Sequence, residues 1–234
     1  MDRVIAIALP LVFGLLSSGL VYFLVVQRGA YFLRFCVPNR WINTMIDFVF
    51  GGLTLMALLI YAALNIGKYE SYNLYPMDFA LFDQVIWNTL HGLILENTIF
   101  ADAPILLAQR FSPILVAFVP LYALSNDLHI FVVTPAVAIT AAAFPLYWFA
   151  RRRMGRSLAL AIGFAFLIAP GVQFIALDQF KEIMLTLPFL VLAAVFLIER
   201  KYLPFFGSLA LALLCKEEVG FIAAAFGVDR KSVV

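Results

Sequence analysis

Two short polar segments of an otherwise apolar chain contain carboxylates that could do chemistry. The first segment, YPMDFALFDQVIWNTLHG at residues 75–92, contains Asp78 and Asp83, and the second, DQFKE at residues 178–182, contains Asp178 and Glu182. A carboxylate in a polar cavity can act as a general base toward a hydroxyl group or bind a divalent ion such as Mg²⁺ or Mn²⁺. Asp78, Asp83 and Asp178 are therefore the candidate catalytic residues, and such chemistry requires the two segments to converge.

Each of these acids also has an ordinary structural explanation. Asp78 follows Pro76 in the first turn of a predicted helix, where a carboxylate stabilises the helix N-terminus. Asp83 would equally serve as a buried hydrogen-bond partner. A turn between membrane helices, such as residues 178–182, must be polar whatever its function. The sequence alone leaves both kinds of explanation open.

Two cations lie close to these acids in sequence or in the same polar region. Arg110 interrupts an apolar run, and Lys181 lies beside Glu182 in the second acidic segment. A guanidinium group matches phosphate in a bidentate manner, which makes Arg110 a candidate phosphate ligand. An interfacial arginine that extends toward the headgroups is the plainer explanation. Arg110, Lys181 and Glu182 are predicted substrate-binding residues.

A third charged segment, Lys216-Glu217-Glu218, follows an apolar run that is too short to cross a membrane. Residues 202–215 provide about 21 Å of helix, whereas a hydrocarbon core is about 30 Å thick. Charges at membrane depth usually line a site or a pathway, so these side chains should face a polar cavity or one another. Lys216 and Glu217 are predicted substrate-binding residues, and a Lys–Glu pair that fixes helix packing is the alternative.

The first acidic segment has the spacing of an amphipathic helix at the outer membrane surface. At about 100° per residue, Asp83 falls within about 40° of the centre of the apolar stripe. An ordinary solvated acid would lie on the opposite face with Gln84, Asn88 and His91, so Asp83 should point toward protein or a polar pocket. The stripe repeats at i, i+3 and i+7 and comprises Phe79, Phe82, Ile86, Leu90 and Leu93.

The composition predicts an all-α, polytopic transmembrane helical bundle. Of 234 residues, 65% are hydrophobic and only 13% are charged, whereas soluble domains have about a quarter charged. Several apolar runs approach the roughly 20 residues of a transmembrane helix, and none alternates with the two-residue period of a barrel strand. Neither Cys36 nor Cys215 has a ligand-like neighbour, and the only histidines are His91 and His129, which disfavours a zinc site.

The basic loops orient the predicted helices. By the positive-inside rule, residues 27–40 and 151–156 lie in the cytoplasm, which places the loop 65–129 and the turn 178–182 outside the inner membrane. We divide the chain into an extra N-terminal helix with its basic loop (1–40), a membrane domain (41–228) and a tail (229–234) that suggests truncation of a longer protein. The predicted spans cover residues 4–26, 45–64, 130–150, 157–177 and 183–198, and the chain runs outward again from residue 202.

The apolar run at residues 104–124 is ambiguous by hydropathy. Three prolines and the Gln109-Arg110 pair interrupt it. An even number of crossings must also separate the two basic loops, so we expect this segment to be re-entrant or to lie along the outer surface. In the competing topology it is a full span, and residues 151–156 are external.

Five motifs, in the same order, resemble one family. Residues 75–92 resemble the YDLGIFDQALWNTLHG-type signature of the prokaryotic membrane family called domain of unknown function 2079. RFSPILVAFVPLYAL is similar to that family's HFSPILLLLAPLYAL, FPLYWFARRRMG to PLYLLARRRLG, DQFKE to DFHPE, and LLCKEEVG to LLVKEDLA. The resemblance covers residues 45–228 and leaves out the first predicted span.

That family resembles GT-C-type glycosyltransferases, polytopic enzymes that move a sugar from a polyprenyl-phosphate carrier to an acceptor. Their carboxylates come from the first and second external loops. The resemblance implies Asp78, with Asp83 beside it, as the first-loop acid, and Asp178 with Glu182 as the second. Arg110 and Phe180 stand where the family has histidine, so an inactive member is an alternative.

These observations together lead us to expect a GT-C-like glycosyltransferase that acts on the outer face. Arg110 and Lys181 would contact the carrier phosphate, and a divalent metal is an optional cofactor. The runner-up is a non-enzymatic transporter or lipid-binding membrane protein, whose intramembrane polar site would be Lys216-Glu217-Glu218. The arginines at residues 151–156 act as a topology anchor, so no nucleic-acid partner is expected.

Overall fold

The computed structural model describes residues 40–74, 76–100, 104–125 and 127–229. The predicted first span (4–26), residues 27–39 of the basic loop and the end of the tail (230–234) lie outside the described residues. Within them, regular structure is helical, apart from one isolated antiparallel bridge between Glu96 and Ile105. The predicted all-α class is confirmed.

The helices follow one another with short connections. Two 3-10 helices, Pro113–Phe118 and Glu182–Leu185, lie among the α-helices of the described chain. These are α1 (Arg40–Glu70), α2 (Pro76–Leu90), α3 (Leu106–Gln109), α4 (Val119–Ser125), α5 (His129–Met154), α6 (Arg156–Ile168), α7 (Pro170–Ala176), α8 (Thr186–Ile198), α9 (Tyr202–Leu213) and α10 (Val219–Asp229).

Two described helices, α1 and α5, are long and apolar enough to cross a membrane, and α6 with α7 forms a third candidate if the bent pair is one span. These three contain the spans predicted at 45–64, 130–150 and 157–177. Helix α5 is central, since 61% of its most apolar window is buried against 22% for α1. Most of that window of α1 is therefore not buried by the other described residues.

The predicted bend at Pro170 is confirmed, because α6 and α7 meet at 56°. Proline disfavours helical backbone in the residue before it, and Ala169 is extended, with φ −60° and ψ 130°. The break also frees carbonyl groups at the end of α6. The hydroxyl of Tyr61 on α1 donates to the carbonyl of Leu167 over 2.5 Å, so the neighbouring helix satisfies one of them.

The ambiguous segment 104–124 forms short helices rather than one long one. Helix α3, the 3-10 helix Pro113–Phe118 and α4 follow one another, and the continuous apolar part covers only Pro113–Ser125. Thirteen residues give about 20 Å of helix, which is short of a hydrocarbon core. The expectation that this segment is not a full span therefore agrees with its structure. We call residues 104–125 the platform.

The bundle core brings α1, α5 and α6 close together at their arginine-rich ends. Phe50 of α1 stacks on Tyr147 of α5, with ring centroids 3.9 Å apart. Phe50 also lies against Gly163 of α6, where a Cβ atom would come within 2.6 Å of the ring. Glycine at this position thus permits close helix contact.

Charged side chains collect at the two ends of this bundle. At one end, Asp47 of α1 pairs with Arg151 and Arg156, at 3.3 and 3.2 Å. Glu199, after α8, pairs with Lys201 at 2.6 Å. The other end carries both acidic segments, so residues 151–156 and residues 178–182 lie at opposite ends.

Candidate functional site

The first acidic segment forms α2, which packs against the platform. Phe79, Phe82 and Ile86 of the predicted stripe are buried. Leu90 and Leu93 are exposed, because α2 ends at Leu90 and the chain turns away at Gly92, whose φ is 91°. The predicted stripe is therefore buried from Phe79 to Ile86 and exposed at the last residue of the helix and beyond it.

The polar face of α2 is less exposed than its sequence indicates. Asn88 is only 9% exposed, and its side chain donates to the carbonyl of Glu96 over 2.9 Å. Gln84 exchanges two hydrogen bonds with Thr98, at 2.7 and 3.1 Å. The chain that follows α2 folds back over this face, which the helical spacing alone could not predict.

Asp83 points toward protein and a cavity, as its place on the helix predicts. The hydroxyl of Tyr122 on α4 donates to Asp83 Oδ1 over 2.5 Å. This bond ties the first acidic segment to the platform. Burial raises the pKa of Tyr122 to about 12, and the hydrogen bond to Asp83 acts in the same direction. The tyrosine is therefore protonated, and remains a donor, throughout the physiological pH range.

A cavity of about 720 Å³ opens beside Asp83. Its volume lies within the roughly 300–1,000 Å³ of small-molecule sites. The cavity offers aromatic surface from three rings and two carboxylates that can accept hydrogen bonds from hydroxyl groups. It is lined by Tyr69, Glu70, Tyr72, Leu74, Phe79, Ala80, Asp83 and Leu128. We call this space the acidic cavity.

Asp78 and Asp178 are joined through a single residue, Gln179. The side-chain amide of Gln179 donates to Asp78 Oδ2 over 2.7 Å, and its backbone N–H donates to Asp178 Oδ1 over 2.9 Å. One extended glutamine with two hydrogen bonds limits the separation of the bonded oxygens to about 12 Å. Lys181 pairs with Asp178 Oδ2 at 2.7 Å. The structure thus brings the two predicted loops together.

Helix α1 contacts the residues just before the second acidic segment and so fixes its position. Buried Asn65 donates to the carbonyls of Val132 and Ala176, over 3.3 and 2.9 Å. The ammonium group of Lys68 donates to the carbonyl of Leu177 over 2.5 Å. Carbonyls at the end of a helix lack intrahelical partners, so α1 satisfies the last turn of α7 and fixes the start of residues 178–182.

Phe180 anchors the same segment in the core. It is 1% exposed, and its ring meets Phe82 of α2, Phe118 of the platform and Phe131 of α5 at centroid distances of 4.9, 5.5 and 5.2 Å. A histidine would bring a polar ring into this aromatic cluster. The phenylalanine therefore holds the two acidic segments together by packing.

Glu182 is placed differently from a surface ligand. It is 1% exposed, and its Oε2 has no hydrogen-bond partner among the described residues. Ser112 of the platform is also fully buried with an unpartnered Oγ. Glu182 therefore lies beneath the acidic end rather than on it, and its predicted role in substrate binding remains a prediction.

The predicted cations lie on the same end as the acids. The Arg110 side chain is half-buried at the end of α3 and forms no ion pair with the described residues. Lys216 pairs with Glu218 at 3.3 Å, which confirms that these charges face one another. Glu217 Oε2 accepts the backbone N–H of Phe111 over 2.9 Å. The platform therefore covers the end of α9, where that helix stops short.

Three residues at the acidic end of the bundle were not predicted from the sequence as part of the site. Gln179 and Tyr122 hold the acids, and polar side chains of this kind carry no spacing signal. His129 begins α5, and its Nδ1 lies 2.6 Å from Oδ1 of Asp127. Hydrogen bonds from the backbone and side chain of His129 lower the pKa of Asp127. The Asp-x-His spacing before a span was the available signal for this pair.

Within the described residues, no three His, Cys, Asp or Glu side chains are grouped so as to hold a metal ion. The fold and site define an all-helical membrane protein with acids gathered at one end of its bundle. The chain belongs to the family described as "Predicted membrane protein (DUF2079)", whose model matches residues 68–229. No curated protein and no solved structure shows significant similarity to the chain.

Proposed function

We propose that this chain transfers a sugar from a polyprenyl-phosphate carrier to an acceptor hydroxyl at the outer face of the inner membrane, as GT-C-type glycosyltransferases do. The observation that carries this proposal is the network Asp78–Gln179–Asp178. Gln179 bridges two acids that are 100 residues apart in sequence, at the end of the bundle that also contains Asp83. A structural role for each acid separately would not require this convergence.

The reaction needs one base and one leaving group. Asp78 or Asp178 takes the proton of the acceptor hydroxyl while the acceptor oxygen forms a bond to the anomeric carbon of the sugar. The bond between that carbon and the carrier phosphate breaks, and the polyprenyl phosphate leaves with the electron pair. A positioned carboxylate base contributes about 10²–10⁴-fold to such a step.

Asp83 has a different task in this proposal. It lines the acidic cavity with Glu70, and three aromatic rings surround them. Carboxylates accept hydrogen bonds from sugar hydroxyls, and aromatic rings cover the apolar faces of the ring. Asp83 and its cavity therefore bind the sugar, whereas Asp78 and Asp178 act on the acceptor.

The cations can serve the carrier phosphate. The ammonium group of Lys181 donates one of its three N–H groups to Asp178, so two N–H groups remain for a phosphate oxygen. Arg110 lies on the platform with its guanidinium free of ion pairs to the described residues.

The transporter alternative receives less support from the same geometry. Lys216 pairs with Glu218, and Glu217 accepts the Phe111 amide. Glu217 thus links the end of α9 to the platform, and the other two charges pair with each other. No contact among the described residues specifically supports a polar pathway past Lys216.

The decisive experiment is a transfer assay with a panel of polyprenyl-phosphate sugars and membranes that contain the full-length protein. Asp78→Asn and Asp178→Asn should lower kcat by about 10²-fold or more. Asp83→Asn should chiefly raise KM for the donor, since it removes a binding contact. Glu96→Gln, an exposed acid in the connection between α2 and the platform, is the matched control and should leave both constants unchanged.

Equal turnover by wild type, Asp78→Asn and Asp178→Asn would refute the catalytic assignment. Absence of transfer with every donor, for a protein that is folded and membrane-inserted, would refute the reaction class. The sidedness has its own test. A cysteine at Ser157 should react with impermeant reagents only from the cytoplasmic side, and external labelling would place the acids inside the cell.

A further inference from the structure

A second cavity, of about 560 Å³, opens at the arginine-rich end of the bundle, opposite the acidic cavity. It lies between α1, α5 and α8. One part is an apolar groove, and the other part is charged and aromatic. The groove is formed by Phe50, Gly51, Phe144, Pro145, Leu192 and Phe196, and the polar part by Asp47, Tyr147, Trp148 and Arg151.

The ends of the helices around this cavity are strongly basic. Residues 151–156 and 199–201 contribute six basic side chains, and the acids beside them are Asp47 and Glu199. The surplus is therefore four positive charges. Basic pockets between transmembrane helices on the cytoplasmic side are the kind of site that binds lipid headgroups.

Asp47 and Glu199 accept only some of the hydrogen bonds that the surrounding arginines can donate. Asp47 accepts hydrogen bonds from Tyr147 and Arg151, at 2.5 and 3.3 Å, and pairs with Nε of Arg156 at 3.2 Å. Each guanidinium has five N–H donors, so Arg151 and Arg156 keep most of theirs. A phosphate would find several free donors within this rigid arrangement.

Two further arginines on the last turn of α5 extend this basic rim beyond the residues that line the cavity. Arg152 lies 3.8 Å above the ring of Trp148 and 3.5 Å from Glu199. Arg153 lies over Phe149 and pairs with no carboxylate among the described residues. Tryptophan is enriched at the depth of the lipid headgroups. Trp148 thus marks where the apolar groove meets the charged rim.

We infer that this cavity binds a phospholipid with a net negative headgroup. One acyl chain lies in the apolar groove, and the phosphate lies against the arginines of residues 151–156. The four surplus positive charges favour a headgroup that keeps its negative charge over a zwitterionic one, whose amine would meet like charges. The apolar walls distinguish a lipid from a free phosphate ion.

The groove and the rim can be tested separately with the full chain in detergent. Binding of dioleoyl phosphatidylglycerol, dioleoyl phosphatidylcholine and inorganic phosphate is measured by native mass spectrometry and by the shift in Tm. Gly51→Leu places a side chain in the groove, where no described residue lies within 4 Å of the added Cβ. Gly52→Leu is the matched control, because its Cβ likewise meets none of the described residues within 4 Å and Gly52 does not line the cavity.

Wild type should bind phosphatidylglycerol at least about tenfold more tightly than phosphatidylcholine, since each arginine near a headgroup is worth roughly fivefold. Gly51→Leu should lose this binding and Gly52→Leu should keep it. Removing both rim arginines in Arg152→Gln/Arg153→Gln should weaken it by about 25-fold.

Three results would overturn the inference. Equal binding of the two lipids would show that charge does not select the ligand. Equal loss in both glycine variants would show that the groove does not hold the chain. Stabilisation by inorganic phosphate as large as that by phosphatidylglycerol would identify a simple anion site. Because these measurements need no transfer activity, their outcome is independent of the proposed reaction.

Discussion

Replacing Asn65 with leucine tests how the fold holds its second acidic segment. Asn65 is 4% exposed on α1, and its side chain donates to the carbonyls of Val132 and Ala176. Leucine has a similar size and no donor. The substitution therefore removes two hydrogen bonds while it keeps the space filled, and it leaves the terminal carbonyl of α7 without this partner.

The expected loss of unfolding free energy is about 1–3 kcal/mol. The lower bound follows from about 0.6 kcal/mol for each hydrogen bond between membrane helices. The upper bound applies if the Ala176 carbonyl stays buried and unpaired, which costs about 1–3 kcal/mol by itself. For a chain of this size, each kcal/mol corresponds to a fall in Tm of about 2–4 °C.

Thermal unfolding of the purified protein in one detergent measures this effect, with Asn43→Leu as the control. Asn43 lies on the same helix and forms no side-chain hydrogen bond with the described residues. We expect Asn65→Leu to lower Tm by about 2–12 °C and to increase hydrogen exchange at residues 176–182. A Tm within 1 °C of wild type, with unchanged exchange, would refute the claim that α1 fixes this segment.

Three further changes test other contacts. Gly163→Ala should lower the unfolding free energy by about 1–3 kcal/mol, because the methyl group would meet the Phe50 ring at 2.6 Å; an unchanged Tm would contradict this packing. The pKa of Tyr122 is raised to about 12, so the contribution of its hydroxyl to stability is complete below pH 10 and is lost as pH rises toward 12. Tyr122→Phe should therefore flatten the dependence of Tm on pH between about pH 10 and 12. An unaltered dependence would contradict the hydrogen bond to Asp83. Glu217→Ala should speed amide exchange at Phe111 about tenfold, whereas the exposed Glu218→Ala should not; equal exchange in both variants would disprove the contact at 2.9 Å.

The helices, their order and one of their bends follow from local sequence. Apolar runs of sufficient length predict α1 and α5, and Pro170 predicts the break between α6 and α7, since proline acts on the residues immediately around it. The inward orientation of Asp83 also follows, because helical period alone places it near the apolar stripe. These properties depend on neighbours within a few residues.

The partners of each side chain depend on distant residues and could not be predicted. Gln179 meets Asp78 across 101 positions, and Glu217 meets Phe111 across 106. The burial of Glu182 is of the same kind, because its surroundings come from several helices. The expectation that residues 104–124 do not form a full span agrees with the short helices found there, but it gave no indication that the platform would cover the end of α9.

The geometry of α2 is compatible with the two tasks that we propose for this one short helix. Asp78 and Asp83 are five residues apart, so at about 100° per residue their side chains diverge by about 140°. Asp78 therefore meets Gln179 in the second acidic segment, while Asp83 meets Tyr122 and the acidic cavity. A spacing of four residues would have put both acids on one face and forced them to compete for one environment. Because the helix is rigid and its apolar face is buried, the distance between the cavity and the acid pair is fixed by the fold, which is what a transfer between two bound substrates requires.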